Sequence, residues 1–182
     1  MKHKHAETMT DIATVVYLLK KDTVCLAQRK QAIHTKDGKE LEKSKRVWNG
    51  YGGKREEDDA SIRDTAVREL FDECGVSAQI HNLIPAARLR FFWPNNTTKV
   101  PNMDVYFFFL ATWQGEPHET DEMGEPEFFE INDIPYDDMM ANDRYFLPKM
   151  LANEKVSADV FLGKMDKDGL PVFTLLKEEL IV

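Results

Sequence analysis

The chain has 182 residues, of which 42% are hydrophobic and 31% charged, and its formal net charge is -8. That length supports one domain with a real core, and the composition is that of an ordinary soluble globular protein. The negative balance argues against a large non-specific nucleic-acid surface, duplex DNA or RNA above all, but admits an anionic small molecule, because a bound cation and local Lys or Arg residues can reverse the field inside one cleft.

Residues 1–10, MKHKHAETMT, are polar and read as a flexible tail. No apolar secretory core or membrane-spanning run follows them, so the expected location is the cytoplasm, away from membranes. Residues 12–19 (IATVVYLL) are rich in β-branched side chains and predict a buried strand. Lys20-Lys21-Asp22 turns the chain into a second strand over 23–29, making a hairpin. Residues 30–47 are polar, contain Gly38 and the run KELEKSKR, and read as an exposed insertion loop. The next segment, WNGYGG at 48–53, cannot be regular helix, because its glycines suit close backbone approaches that other residues resist. Asp58 or Asp59 is placed to cap the helix that follows. In that helix Ile62, Ala66, Val67, Leu70, Phe71 and Cys74 form a broad apolar stripe, and Gly75 ends it.

A further strand is expected at 80–92, where Arg88 and Arg90 alternate with Leu89 and Phe91, followed by a turn at Pro94-Asn95-Asn96. The continuous apolar run at 104–113 (DVYFFFLATW) predicts a central strand covered on both faces. An acidic loop at 116–127 leads to Phe128 and Phe129. A second helix is expected over 143–150, reaching about Ala152 and interrupted near its start by Pro148. Two short strands, 158–162 and 171–175, are joined by the turn KMDKDG. With no linker, repeat or low-complexity tract, residues 1–182 read as one domain with a mixed sheet and two main helices.

Cys25 and Cys74 lie in apolar segments, make no disulfide framework and lack metal-type spacing, which suits buried thiols in a reducing compartment. His34, His81 and His118 share no ligand spacing, and His3 and His5 belong to the tail. Trp93 reads as an aromatic between surface and core, with shielding of a ligand as the lesser reading. Phe107, Phe108 and Phe109 read as core.

The chemistry concentrates in residues 52–76, GGKREEDDASIRDTAVRELFDECGV. Positions three and four apart share a helix face, so Glu69, Asp72 and Glu73 can point into one small volume. Carboxylates that close repel one another unless a cation lies between them. Mg²⁺ takes oxygen ligands of this kind together with substrate phosphates. The residues alone leave a second reading open, an exposed helix with Arg68 in i,i+4 ion pairs.

The same segment resembles the Nudix box, G-x5-E-x7-R-E-U-x-E-E-x-G-U. Residues 68–76 (RELFDECGV) match its second half, with Asp72 in place of the first glutamate of the final pair. In the first half, counting from Gly53, the family's acid falls at Asp59, and one additional residue precedes Arg68, which leaves Glu56, Glu57, Asp58 and Asp59 without an assigned role. WNGYGGK, MDVYFF, ETDEM and FFEINDIPYDDMMANDRYFLPKML extend the likeness to the MutT-like branch, closest in pattern to the animal enzymes that hydrolyse 8-oxo-dGTP and 2-hydroxy-dATP.

The resemblance implies an α/β (α+β) Nudix fold, a mixed β-sheet sandwiched between helices. It implies Mg²⁺-dependent hydrolysis, with Mn²⁺ as a substitute, of oxidised or modified purine nucleoside triphosphates to monophosphate and pyrophosphate. Such a reaction sanitises the nucleotide pool and so prevents DNA damage. By the same comparison the Gly52 carbonyl, Glu69 and Glu73 bind metal, Asp72 binds a second ion directly or through water, Glu122 binds metal or activates water, and the base is either Glu73 or Glu122. Arg68 braces the carboxylates, and Lys54 faces either the phosphates or solvent. Asn49, Asn142, Asp143, Met103 and Met140, with Thr14 and Phe91, fall at nucleobase-pocket positions. Met140 stands where the animal enzymes have a stacking tryptophan, whose loss costs about 1–3 kcal/mol in nucleic-acid systems. Asn142 stands where they have the first of two acids. The alternatives are a pyrophosphatase for another nucleotide, a nucleotide sugar or a dinucleotide, and, less favoured, a non-catalytic nucleotide-binding protein. Nothing in the chain calls for an obligate protein partner.

Overall fold

Alternation of apolar side chains across a pleat puts two hydrophobic sets on opposite faces of one sheet, and each set attracts a helix. The computed structural model describes residues 10–32, 46–94, 96–165, 167 and 171–176. The rest of the expected tail, residues 33–45 of the insertion loop with His34, and residues 166, 168 and 169 of the KMDKDG turn lie outside them.

The strands are β1 (Asp11–Lys20), β2 (Thr23–Gln28), β3 (Trp48–Asn49), β4 (Ile84–Phe92), β5 (Met103–Leu110), β6 (Glu127–Glu130), β7 (Val156–Met165) and β8 (Pro171–Leu175). The helices are α1 (Ile62–Cys74) and α2 (Asp143–Leu151). The strand order is β3-β2-β1-β5-β4-β7-β8, with β6 also on β2. β1 runs parallel to β5 and β4 parallel to β7, while the other pairs are antiparallel, so the sheet is mixed.

β1 and β5 divide their side chains cleanly. Ala13, Val15, Tyr17, Val105, Phe107 and Phe109 join Phe146, Leu147 and Met150 of α2 in one core. Val16, Leu18, Phe108 and Leu110 join Ala66, Leu70 and Cys74 of α1 in the other. The expected central strand is thus covered on both faces, as a continuous apolar run requires. The arginines of β4 hold its neighbours: Arg88 donates to Asp104 of β5 at 2.7 Å and Arg90 to Asp159 of β7 at 2.6 Å.

Several expectations need correction. Residues Ile80–Asn82 form a 3₁₀ turn, and β4 begins only at Ile84. β5 ends at Leu110, three residues before Trp113. Phe71 does not join the buried stripe of α1 and is 56% exposed; Ala66, Leu70 and Cys74 are buried against the sheet, with Ile62 and Val67 partly buried beside them. Pro148 does not interrupt α2, which continues to Leu151. One missing backbone donor is tolerated where Phe146, Leu147 and Met150 are buried around it.

Candidate functional site

The site begins where β1 parts from β2. The two pair only over Leu18–Lys20 and Thr23–Cys25. Ahead of that, the edge of β1 is taken by residues 50–54, with Val16 opposite Tyr51 and Ala13 opposite Lys54. The Thr14 N–H donates to the Gly53 carbonyl at 2.9 Å. This approach demands glycine at Gly52, where a Cβ would run into the Thr14 carbonyl; a Cβ at Gly53 would displace the Glu69 carboxylate.

α1 is started by Ser61, not by Asp58 or Asp59. The Ser61 hydroxyl accepts from the Asp64 N–H at 3.2 Å and donates to the Asp64 carboxylate at 2.5 Å. Gly75, at φ 72°, closes the helix with its N–H on the Phe71 carbonyl. Burying Ala66, Leu70 and Cys74 against the sheet turns Arg68, Glu69, Asp72 and Glu73 toward a shared cavity of about 490 Å³.

Arg68 is the organiser of that face. It grips Asp59 with two parallel bonds, at 3.0 and 2.9 Å, and donates to Glu69 at 2.9 Å and to the Lys54 carbonyl at 3.0 Å. Its guanidinium also lies 3.6 Å from Asp72 and 3.7 Å from Glu56. Asp59, free of any capping duty, accepts from the Glu56 N–H and the Thr65 hydroxyl as well. Arg68 beside it holds the Asp59 carboxyl well below the usual carboxylate range. The spacing count from Gly53 landed on Asp59, yet the extra residue before Arg68 obscured its partnership with that arginine.

Glu73 is only 2% exposed. The Gly52 N–H donates to its carboxylate at 2.5 Å, and Arg29 approaches to 3.9 Å. Burial pushes the Glu73 carboxyl up to about 8 against the pull of Arg29 and Gly52, with repulsion from Glu69 and Glu122 adding to the rise. Burial also raises Glu69, partly offset by Arg68. Glu122 is exposed at the cavity rim, next to the buried Met123, which pairs with Arg29 at the end of β2. Lys54 lines the cavity and pairs with Asp11 at 3.0 Å.

The far end of the cavity has a different character. Its walls are apolar: Phe91, Met103, Met140, Val105 and Phe107, joined by Trp93 and Leu162. Among them stand a few polar groups, Thr14, Asn49, Asn142 and Asp143. Thr14 is 1% exposed and its hydroxyl has no partner among the described residues. The Asn142 amide donates to Asp143 at 3.2 Å and the Met140 N–H to the other Asp143 oxygen at 3.1 Å. Burial pushes the Asp143 carboxyl up to about 7, with the Met140 N–H opposing.

All of the side chains singled out from the sequence therefore line one cavity. Further lining residues were not assigned there, Arg29, Trp93 and Leu162 among them. Arg29 sits at the acidic end with a buried Nε that lacks a partner among the described residues, and nothing distinguishes it in the sequence from the adjacent Lys30. Trp93 lines the apolar end, against the surface-to-core reading, and Leu162 projects from β7, a strand whose sequence carries no site signal. His81 and His118 do not line the cavity; the His118 ring packs over Gly75 instead.

Among the described residues, no three His, Cys, Asp or Glu side chains are gathered as a ready metal cage. The donor set nevertheless suits a hard cation. It consists of oxygens alone, and the mutual repulsion of Glu69, Glu73 and Glu122 is what a divalent ion would relieve. Among the described residues, no helix is long and apolar enough to cross a membrane.

Comparison with known proteins agrees with this geometry. The NUDIX domain model matches residues 9–150. The chain is 34% identical over 122 residues to the oxidized purine nucleoside triphosphate hydrolase of Danio rerio, covering 67% of this chain and 70% of that one. It is 34% identical over 108 residues to the protein of the same name from Mus musculus, covering 59% and 65%. Among solved structures, the MutT protein of Bacillus halodurans superposes with a TM-score of 0.67 at 19% identity, over 93% of this chain and 99% of that one.

Proposed function

The chain belongs to the Nudix family of hydrolases, and from that premise we propose that it hydrolyses purine nucleoside triphosphates with an oxidised or otherwise modified base, releasing the nucleoside monophosphate and pyrophosphate. The observation that carries this reading is the continuity of one cavity, with the carboxylate face of α1 at one end and an apolar slot holding Thr14, Asn49, Asn142 and Asp143 at the other. The names of the zebrafish and mouse relatives support the same substrate class.

Glu69, Asp72, Glu73, Glu122 and the Gly52 carbonyl are the groups that would hold Mg²⁺ or Mn²⁺. A divalent ion bound there supplies charge neutralisation for the phosphates and for the departing pyrophosphate. Arg68 fixes Glu69 in place through a charged hydrogen bond and draws Asp72 in as an ion pair at 3.6 Å. Glu73 is already engaged by Gly52, whereas Glu122 stands exposed at the rim. Glu122 therefore orients the attacking water and accepts its proton. The water oxygen forms a new bond to phosphorus while the bridging P–O bond breaks, and the electron pair leaves with pyrophosphate. Arg29, whose buried Nε has no partner among the described residues, and Lys54 contact the phosphate chain.

At the other end, the methionines and Phe91 grip the base by adaptable apolar contact. Asn142, Asp143, Asn49 and Thr14 read its edges. Asn142 offers an amide donor as well as a carbonyl acceptor, and Asp143, kept neutral up to about pH 7 by burial, can donate where an ionised carboxylate only accepts.

The test is a Mg²⁺-dependent hydrolysis screen over 8-oxo-dGTP, 2-hydroxy-dATP, dGTP, dATP and ADP-ribose, with the phosphate products separated. A higher kcat/KM for a modified purine triphosphate, with pyrophosphate as co-product, is expected. Equal or better turnover of the unmodified nucleotides or of ADP-ribose would overturn the substrate class, and orthophosphate release from a triphosphate would overturn the cleavage position.

A further inference from the structure

Glu122 sits on a loop, yet the proposed reaction requires its carboxylate to be held to within a fraction of an ångström of the groups on α1. The Thr120 hydroxyl links the two. Thr120 donates its hydroxyl proton to the Glu73 main-chain carbonyl at 2.9 Å. The same oxygen accepts from the Met123 N–H at 3.2 Å and from the Glu122 N–H at 3.4 Å. A threonine hydroxyl has one proton and two lone pairs, so these contacts use its whole capacity.

The rest of the loop is tied in the same sense. The last carbonyls of a helix lack intrahelical partners, and here the His118 N–H satisfies Cys74 at 3.1 Å while Thr120 satisfies Glu73. Thr120 closes a tight turn, its N–H donating to the Met123 carbonyl at 2.9 Å. Lys30, at the end of β2, donates from Nζ to the Thr120 carbonyl at 2.5 Å and from its backbone N–H to the Glu122 carbonyl at 2.8 Å.

We propose that Thr120 is a positioning residue whose hydroxyl locks the backbone of Glu122 to the C-terminal end of α1, setting the Glu122 carboxylate against the cavity. The proposal rests on the role given to Glu122 under the proposed function. It explains why an exposed loop acid can serve with the same fixity as Glu69 and Glu73, which are held by a helix.

The experiment combines T120V, T120S, E122A and the T120V/E122A double variant. Three quantities are measured: kcat and KM for the preferred nucleotide, deuterium exchange at the Glu122 and Met123 amides in metal-free protein, and the urea midpoint. T120V is expected to lower kcat about tenfold or more with little change in KM, since small displacements of a catalytic group are costly. It should also speed exchange at both amides, and T120S should restore both properties to within about threefold of the parent. In the E122A background T120V should cost nothing further, because two changes acting through one group are not additive. T120A carries the same expectations as T120V should the valine variant not fold. Equal loss in T120S and T120V, unchanged amide protection, or an undiminished T120V effect without Glu122 would each overturn the proposal. A crippled E122A beside a fully active T120V would overturn the role of Thr120 alone. A fully active E122A would overturn the role of Glu122 and the proposal with it.

Discussion

The two ends of the cavity are built on opposite plans. At the α1 end nearly every polar group has a fixed partner: Arg68 spans Asp59 and Glu69, Gly52 holds Glu73, and Gly53 leaves room for Glu69. At the far end the walls are methionines and aromatics, Thr14 has no partner for its hydroxyl among the described residues, and Asp143 is held by the Met140 N–H and the Asn142 amide with no cationic partner among the described residues. Rigid electrostatics suits a reaction at one phosphorus atom, where misplaced charge is expensive. An adaptable slot with a few unmatched polar atoms suits discrimination between bases that differ by one oxygen. On the proposed function, changes at the first end should reduce turnover of every substrate, while changes at the second should reorder substrates.

The largest effect should come from Glu69→Gln or Glu73→Gln. Either is expected to cut kcat by about 10²-fold or more, since charge stabilisation around a bound cation is worth several kcal/mol. Circular dichroism and urea unfolding should show the fold retained, and near-normal kcat in both variants would remove the distinction between the ends. Asp59→Ala comes next. It strips Arg68, Thr65 and the Glu56 N–H of an acceptor, so a loss of about 1–3 kcal/mol in urea unfolding is expected, together with a lower kcat on all nucleotides. Unchanged stability would show that Arg68 does not depend on it.

Asn142→Asp sharpens the other side of the contrast. It should change the ratio of kcat/KM between modified and ordinary purines by about tenfold while leaving the best kcat within about threefold, because it alters donor and acceptor pattern without touching the acidic face. Constant ratios across bases would remove Asn142 from recognition. The smallest effect concerns pH. Burial raises the Asp143 carboxyl in the folded protein to about 7 from an unfolded value of about 4, so the folded state binds this proton more tightly. Its contribution to stability is complete below about pH 4 and is lost as pH rises through 7. Asp143→Asn, followed by urea midpoints between about pH 4 and 8, should flatten that decline. An identical slope in parent and variant would contradict the assignment.

How much of this was legible in the sequence follows the same division. The acidic face of α1 could be read because helical spacing is a local property, and Glu69, Asp72 and Glu73 share a face wherever the helix lies. The burial of Glu73 could not, since it depends on residues 50–54 replacing β2 along the edge of β1, a long-range event. Asp59 was misread for a related reason. An acid just before a helix is locally a capping residue, but Ser61 takes the cap and Asp59 turns to Arg68 nine positions on. At the far end, Met103, Met140, Asn142 and Asp143 were found through family likeness, and their spacing alone carries no signal. Trp93 directly follows β4 and Leu162 lies in β7, so both reach the cavity only through the β4–β7 pairing. The strand order itself, with two parallel pairs inside a mixed sheet, also lies beyond what periodicity can specify.

The most direct measurement is a structure of the protein with a non-hydrolysable 8-oxo-dGTP analogue and a divalent ion. The account predicts phosphates and ion against Glu69, Glu73 and Glu122, with the purine edge on Asn142 and Asp143 and its faces toward Met103 and Met140. Phosphates lodged away from α1, or a base outside the Met103–Asp143 slot, would contradict it.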